Sequence, residues 1–314
     1  MAASFTDALS PEQTRELLPM GQLIEAVGRA FDTAPAAAKR LVIHDERQDW
    51  VIMPGLARRG GMLCKILRVG DGSGPRELPT IAGVVAVLDG DGRLLSLLDG
   101  GTLTARRTAA AAGYATDLLA APDASVLALF GAGALAEEHL EALAAVRPLR
   151  EVRVVGRSPE RLARFCERLS GRGYRLEPSD AEQALDGAEL IVTVTTSPLP
   201  LFADADVGPG VHINAMGSYR PERAEIPAAT VARARVVVET RAGAWEEAGD
   251  LIQARDAGLI DETHIEAELH ERERIAALRA DAPEALTLFK SVGHVALDLA
   301  ALEVCLDSLA TPAA

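Results

Sequence analysis

From Leu41 to Leu98 the apolar residues fall in short runs separated by turn-rich stretches: Leu41-Val-Ile43, Trp50-Val-Ile-Met53, Met62-Leu-Cys-Lys-Ile-Leu67, Gly83-Val-Val-Ala-Val-Leu88 and Leu94-Leu-Ser-Leu-Leu98. Runs of this length bounded by turn residues predict strands. Asp89-Gly-Asp-Gly92 predicts a hairpin between the last two. Ahead of this sheet, Ser10-Pro-Glu-Gln13 reads as a helix start, with Ser10 as N-cap, Pro at the first position and a capping-box Gln. A small-residue helix is expected from Thr104 to Ala120, ending before Ala121-Pro122-Asp123.

Beyond that turn the pattern changes to alternating helix and strand. Helices are expected at Ala134–Val146, Pro159–Leu169 and Ala181–Leu185. Strands are expected at Val126–Phe130, Val152–Val155, weakly near Tyr174–Leu176, then at Leu190–Val194, Val211–Ala215 and Val236–Glu239. Such alternation predicts an α/β fold with a doubly wound parallel sheet of Rossmann type. A strand-like Leu286-Thr-Leu-Phe289 precedes a last helix, Val295–Leu309, which lies outside the alternation and is expected to return to the first domain. The expected division is a mixed α/β substrate-binding and dimerisation domain over 1–120, completed by 295–314, and a nucleotide-binding domain over 121–294.

The most informative segment is Ser125-Val-Leu-Ala-Leu-Phe-Gly-Ala-Gly-Ala-Leu-Ala136, where a buried-strand pattern breaks into glycines and opens a helix. Gly131, Gly133 and Ala136 fit the dinucleotide spacing. Gly131 permits the tight turn, Gly133 removes a Cβ from the path of a pyrophosphate, and Ala136 lets the helix lie close to the sheet. Ala132, Ala134 and Leu135 complete the turn and the helix N-terminus, whose amides are donors for phosphate. The second strand then decides between cofactors. The carboxylate that would accept from the adenosine ribose is missing, and Gly156-Arg157-Ser158 stands there instead. Arg157 and Ser158, with Arg161 one turn on, suit a 2′-phosphate, so NADP(H) is favoured over NAD(H).

Composition narrows the partners. With 314 residues, 48% of them hydrophobic, the chain can build two cores. A formal charge of −14 disfavours nucleic acid and anionic membrane surfaces. Three scattered cysteines suggest neither a disulfide framework nor a metal site. With no signal-peptide pattern and no long apolar run, a cytoplasmic protein away from membranes is expected.

Upstream of the glycine turn, Arg40, Lys65 and Arg107 are the candidate chemistry. Each taken alone is ordinary and reads first as a solvated surface charge. Lys65, however, interrupts an apolar run, and a half-buried lysine there needs a partner or a ligand. Arg107 is expected at a helix start, where the dipole favours an anion, and a bound carboxylate would resolve that mismatch. His294 reads as a helix-start histidine with a structural hydrogen bond, and Cys64 as an inert buried thiol.

Five ordered segments carry a resemblance: Leu103-Thr-Ala-Arg-Arg107-Thr-Ala-Ala110, Phe130-Gly-Ala-Gly133, Ile213-Asn-Ala-Met-Gly217, Gly249-Asp250-Leu251, and Phe289-Lys-Ser-Val-Gly293 with Asp298. In these the chain resembles the ornithine cyclodeaminase/μ-crystallin family over nearly its whole length. The resemblance implies a homodimer, a nicotinamide cofactor and a small imino or amino acid substrate. By that similarity Arg40, Lys65 and Arg107 clamp a substrate carboxylate, with Arg107 also near the nicotinamide and Lys65 a candidate proton donor. Thr80, Thr195, Thr196, Met216, Gly217 and Ser291 match further cofactor positions. Family members that cyclise ornithine carry an aspartate two residues beyond the glycine matching Gly217. Here Tyr219 stands in its place, lining or closing a substrate pocket. The expected reaction is therefore NADPH-dependent reduction of a cyclic ketimine carboxylate, of the Δ1-pyrroline-2-carboxylate or Δ1-piperideine-2-carboxylate type. An amino-acid dehydrogenase acting on alanine or an opine-like substrate, an ornithine cyclodeaminase and a non-catalytic NADPH-binding protein stand as alternatives.

Overall fold

The computed structural model describes residues 8–31, 40–46, 48–57, 60–70, 79–282 and 284–310. It divides into two compact units, Met1–Ala111 with His294–Ala314, and Ala112–Gly293. The division falls within a helix, ahead of the Ala121-Pro122-Asp123 turn.

The first unit opens with α1 (Pro11–Glu16) and α2 (Met20–Phe31). The Ser10 hydroxyl accepts from the Gln13 amide while the Gln13 side chain accepts from the Ser10 amide, a complete capping box. Strands β1 (Leu41–Asp45), β2 (Gln48–Leu56), β3 (Met62–Gly70), β4 (Ile81–Leu88) and β5 (Leu94–Asp99) form an antiparallel sheet in chain order. The β4–β5 hairpin is held by Asp89, whose carboxylate accepts from the Asp91 and Arg93 amides. Alternation divides the two faces: Val51, Met53, Leu63, Leu67, Val85 and Val87 are buried on one.

Helix α3 (Gly100–Leu119) begins four residues before its expected start at Thr104. Two glycines make a poor first helical turn on propensity alone. A Cβ at Gly100, however, would collide with Leu67 and Gly83, so closeness to the sheet selects glycine there, and Asp99 Oδ1 accepts from the Thr102 amide at 2.7 Å. Tertiary packing overrides local propensity here.

The second unit is an eight-stranded parallel sheet. In chain order it comprises β6 (Val126–Phe130), α4 (Ala134–Val146), β7 (Glu151–Val155), α5 (Pro159–Arg168), β8 (Arg175–Pro178), α6 (Ala181–Leu185), β9 (Leu190–Thr193) and β10 (His212–Ala215). There follow α7 (Ala228–Arg233), β11 (Arg235–Val238), α8 (Arg241–Glu247), α9 (Gly249–Asp256), β12 (Ile265–Glu268), α10 (Arg272–Asp281) and β13 (Thr287–Lys290). The strand order is β12-β11-β13-β10-β9-β6-β7-β8. Central strands β9 and β10 are buried throughout, as a covered parallel sheet requires; β9 reads as an apolar run, while β10 carries buried His212 and Asn214, which bond Thr287 and Thr116. The chain returns to the first unit with α11 (Val295–Ala310). This helix lies so close to β2 that a Cβ on Gly55 would stand 3.0 Å from Leu299.

Candidate functional site

In the first unit, the alternation of β3 turns Lys65 inward with Leu63 and Leu67. Lys65 is fully buried, not half-buried as its place in an apolar run suggests, because α11 covers this face of the sheet. Its ammonium donates to both oxygens of Asp298, each at 2.7 Å, and that carboxylate is itself fully buried near the start of α11. Arg107 Nε lies 3.1 Å from the same carboxylate. The distance is that of an ion pair, and among the described residues the buried Nε and Nη1 of Arg107 have no hydrogen-bond partner. Burial pulls Lys65 down from 10.5 to about 8, the Arg107 charge pushes the same way, Asp298 opposes, and Arg40 adds a smaller downward push. Arg40 is half-buried just before β1. Among the described residues Asp298 stands beside two buried cations, Lys65 and Arg107, and the charge of Arg40 also reaches Lys65.

The early start of α3 changes the argument for Arg107. It lies about two turns into the helix, so no mismatch with a helix N-terminus exists, and its unused donors take over as the indication of an anionic ligand. Thr80 is exposed at the foot of β4. Since Lys65 pairs with Val85, Thr80 lies roughly 17 Å away along the sheet, and the structure does not bring it to the Lys65 cluster. His294 Nδ1 accepts from the Ala296 amide at 3.1 Å, the structural role expected of it. Cys64 is half-buried on the opposite face of the sheet from Lys65.

In the second unit the remaining candidates gather at the carboxyl ends of β6, β7, β9, β10 and β13. Gly131 has φ +120°, and a Cβ on it would stand 2.9 Å from the Val194 carbonyl. Gly133 is the N-cap of α4, bears no side-chain cap and has open space where a Cβ would be. Ala132, Ala134 and Leu135 are partly or fully accessible around it, and Ala136 is buried. These are the features a pyrophosphate requires: backbone amides without a side-chain competitor and a clear approach. Arg157 and Arg161 are exposed. The Ser158 hydroxyl is already engaged, capping α5 through the Arg161 amide and donating to Glu160 at 2.8 Å. Beside Ala132, a recess of about 460 Å³ is lined by Arg161, Arg164, Phe165, Glu167 and Arg168.

Three acids that sequence reasoning gave no role organise the other rims. Glu225 Oε1 accepts from the Thr195 amide at 2.8 Å and from the Thr195 hydroxyl at 2.7 Å, while Oε2 accepts from the Gly217 amide at 2.8 Å. Asp250 Oδ1 accepts from the Glu225 and Ile226 amides, and its Oδ2 lies 2.7 Å from Lys290 Nζ. Lys290 donates to the Ser218 carbonyl. Burial raises the Glu225 carboxyl above its usual range, with Lys290 opposing. Glu239 accepts from the Ser291 hydroxyl at 2.8 Å and from the Gly293 amide at 2.9 Å. Thr196 is exposed, Met216 is buried, and half-buried Tyr219 lies under the Arg220 guanidinium. The sequence signal for Glu239 and for Lys290 was a charge ending an apolar strand, as in Val236-Val-Val-Glu239 and Leu288-Phe-Lys290, whereas Glu225 and Asp250 lie outside the strands and carried none.

The profile of the ornithine cyclodeaminase/mu-crystallin family matches residues 6–312. Among curated relatives, a Δ1-pyrroline-2-carboxylate/Δ1-piperideine-2-carboxylate reductase of Azospirillum brasilense is 35% identical, covering 96% of this chain and 98% of that one. A Δ1-pyrroline-2-carboxylate reductase of Thermococcus litoralis, solved with NADH and L-proline, superposes with a TM-score of 0.88 at 28% identity and 96% coverage of both chains. An archaeal alanine dehydrogenase dimer with bound NAD superposes with a TM-score of 0.86 at 27% identity, covering 96% of this chain and 95% of that one.

Proposed function

Because the chain belongs to the ornithine cyclodeaminase/mu-crystallin family, we propose that it is a nicotinamide-dependent reductase of cyclic imino acids. Its substrate is Δ1-pyrroline-2-carboxylate or Δ1-piperideine-2-carboxylate, taken to the cyclic amino acid. The observation that carries this reading is Arg107, a buried guanidinium with two donors unspent in a cluster of excess positive charge. Such a cluster is stabilised by a bound carboxylate. Lys65 has three donors, of which Asp298 takes two. The third is available to substrate, and an ammonium poised near pH 8 can give a proton to the ring nitrogen of a neutral imine. A nicotinamide dinucleotide held at the Gly131–Leu135 turn would supply the hydride. An iminium already carries its proton and needs from the protein only orientation and exclusion of water.

Arg40, Lys65 and Arg107 are assigned to the substrate and Tyr219 to the pocket wall. The glycine turn, Thr80, Arg157, Ser158, Arg161, Thr195, Thr196, Met216, Gly217 and Ser291 are assigned to the cofactor. NADP(H) is favoured over NAD(H), since Arg157 ends β7 where an acid would repel the 2′-phosphate, and three arginines line the neighbouring recess. The outer face of the five-stranded sheet supports a homodimer. Leu41, Ile43, Trp50, Leu56 and Ile66, all at least 40% exposed, form with their cross-strand neighbours an apolar patch of a kind monomers seldom leave open. The three free thiols suit a reducing cytoplasm.

The test is a panel assay of NADPH and NADH oxidation with five- and six-membered cyclic ketimine carboxylates and with pyruvate plus ammonia, alongside ornithine deamination. Turnover of the cyclic ketimines is expected. Turnover of pyruvate with ammonia alone, or of ornithine alone, overturns the reading in favour of a dehydrogenase or a cyclodeaminase. Sedimentation of the wild type and Trp50→Glu tests the dimer.

A further inference from the structure

The parallel sheet has its topological switch point between β6 and β9, from which the chain proceeds to β7 and β8 on one side and to β10 on the other. Ligands of such sheets lie in the crevice at the carboxyl ends of these two strands, with the adenosine half beside the end of the second strand, here β7. The other half of a dinucleotide therefore falls on the side of β9 and β10. The two loops that leave those strands, at Thr195 and Gly217, are joined by Glu225, which lies further along the connection from β10 to α7.

We propose that Glu225 is a positioning residue for the nicotinamide half of the dinucleotide, stapling the loop after β9 to the loop after β10. Its two oxygens receive three hydrogen bonds, all from these loops. The staple is itself fixed from behind, since Asp250 holds the Glu225 amide at 2.6 Å and Lys290 neutralises Asp250. Gly217 is required by the same arrangement, because a Cβ there would collide with the Thr195 backbone and the Glu225 carboxylate. A carboxylate suits the role for a chemical reason: all three partners present hydrogens to it, so an acceptor at both ends is needed. An amide in its place would set an NH2 group against either the Thr195 or the Gly217 amide and release one loop.

The proposal rests on the dinucleotide reading of the second unit, not on the identity of the substrate. Its test is calorimetric titration of wild type and Glu225→Gln with NADPH, NADH and ADP, the last carrying only the adenosine half and the pyrophosphate. About tenfold weaker binding of both dinucleotides is expected in the variant, with ADP affinity kept within about twofold. Equal weakening of all three ligands, or unchanged binding of all three, overturns the staple. A wild type that binds neither dinucleotide overturns the dinucleotide reading and this proposal with it. Should Glu225→Gln not fold, amide hydrogen exchange of the wild type decides. The Thr195 and Gly217 amides are expected to gain protection together when NADPH binds, and protection of one alone overturns the staple.

Discussion

Both units bury charge, and they handle it in opposite ways. In the first, Asp298 faces Lys65 and Arg107, and among the described residues Arg107 Nε and Nη1 find no hydrogen-bond partner. In the second, Glu225, Asp250 and Glu239 outnumber Lys290, yet Glu225 and Glu239 have both oxygens in hydrogen bonds to loop amides and hydroxyls. Glu225 and Glu239 spend their oxygens on holding loops, whereas Arg107 keeps donors that an anionic ligand would satisfy. On the proposed reading, substrate capture falls to the positive cluster, while the acidic one holds loops.

The largest expected effect comes from removing the single acid of the positive cluster. Asp298→Ala leaves Lys65 and Arg107 buried without a counter-charge, which costs about 3–5 kcal/mol of folding stability, read as the unfolding free energy in urea. An unchanged value would mean that solvent already reaches these cations. Next comes Arg107→Met, expected to raise KM for the cyclic imino acid up to roughly a hundredfold, the upper range for a lost charged hydrogen bond. Dinucleotide affinity measured without substrate should stay within a factor of about two to three. Equal loss of both affinities would blur the division of labour drawn here.

The pH dependence sharpens the same contrast. With Lys65 lowered to about 8, kcat/KM for a neutral imine should fall as pH rises through that value, about tenfold per unit above it, and Lys65→Met should lack that limb. Folding stability moves the other way. An unfolded lysine at its usual 10.5 binds a proton that the folded one has released. Stability therefore rises with pH between about 8 and 10.5 and is flat with respect to this group below 8. A kcat/KM that is level to pH 9.5 would remove Lys65 from proton transfer.

Much of this molecule was legible as sequence. The Ser10 capping box, the Asp89 hairpin and the strand-glycine-helix unit at Val126–Ala136 are local devices whose residues are contiguous, and each formed as read. What escaped was non-local or irregular. The start of α3 was set by Gly100 packing against Gly83, which no propensity encodes. Strand β12, Ile-Glu-Ala-Glu, lies at the sheet edge and alternates, where β6 and β9 are nearly continuous apolar runs. Asp298 and Lys290 stood within recognisable segments, but their partners, Lys65 and Asp250, are distant in sequence, so their roles appeared only with the fold.

The smallest effect tests the exposed end of the second unit, where Arg157 lies at the surface. Arg157→Ala should weaken NADPH by about tenfold or less, since an exposed guanidinium is screened by solvent, and leave NADH nearly unchanged. Ser158→Ala should behave differently. Its hydroxyl already caps α5 and donates to Glu160, so its loss costs about 1 kcal/mol of stability with little change in the NADPH-to-NADH ratio. If instead Ser158→Ala moves that ratio and Arg157→Ala does not, the 2′-phosphate is read by the helix cap. The arginines beside the recess then serve another purpose.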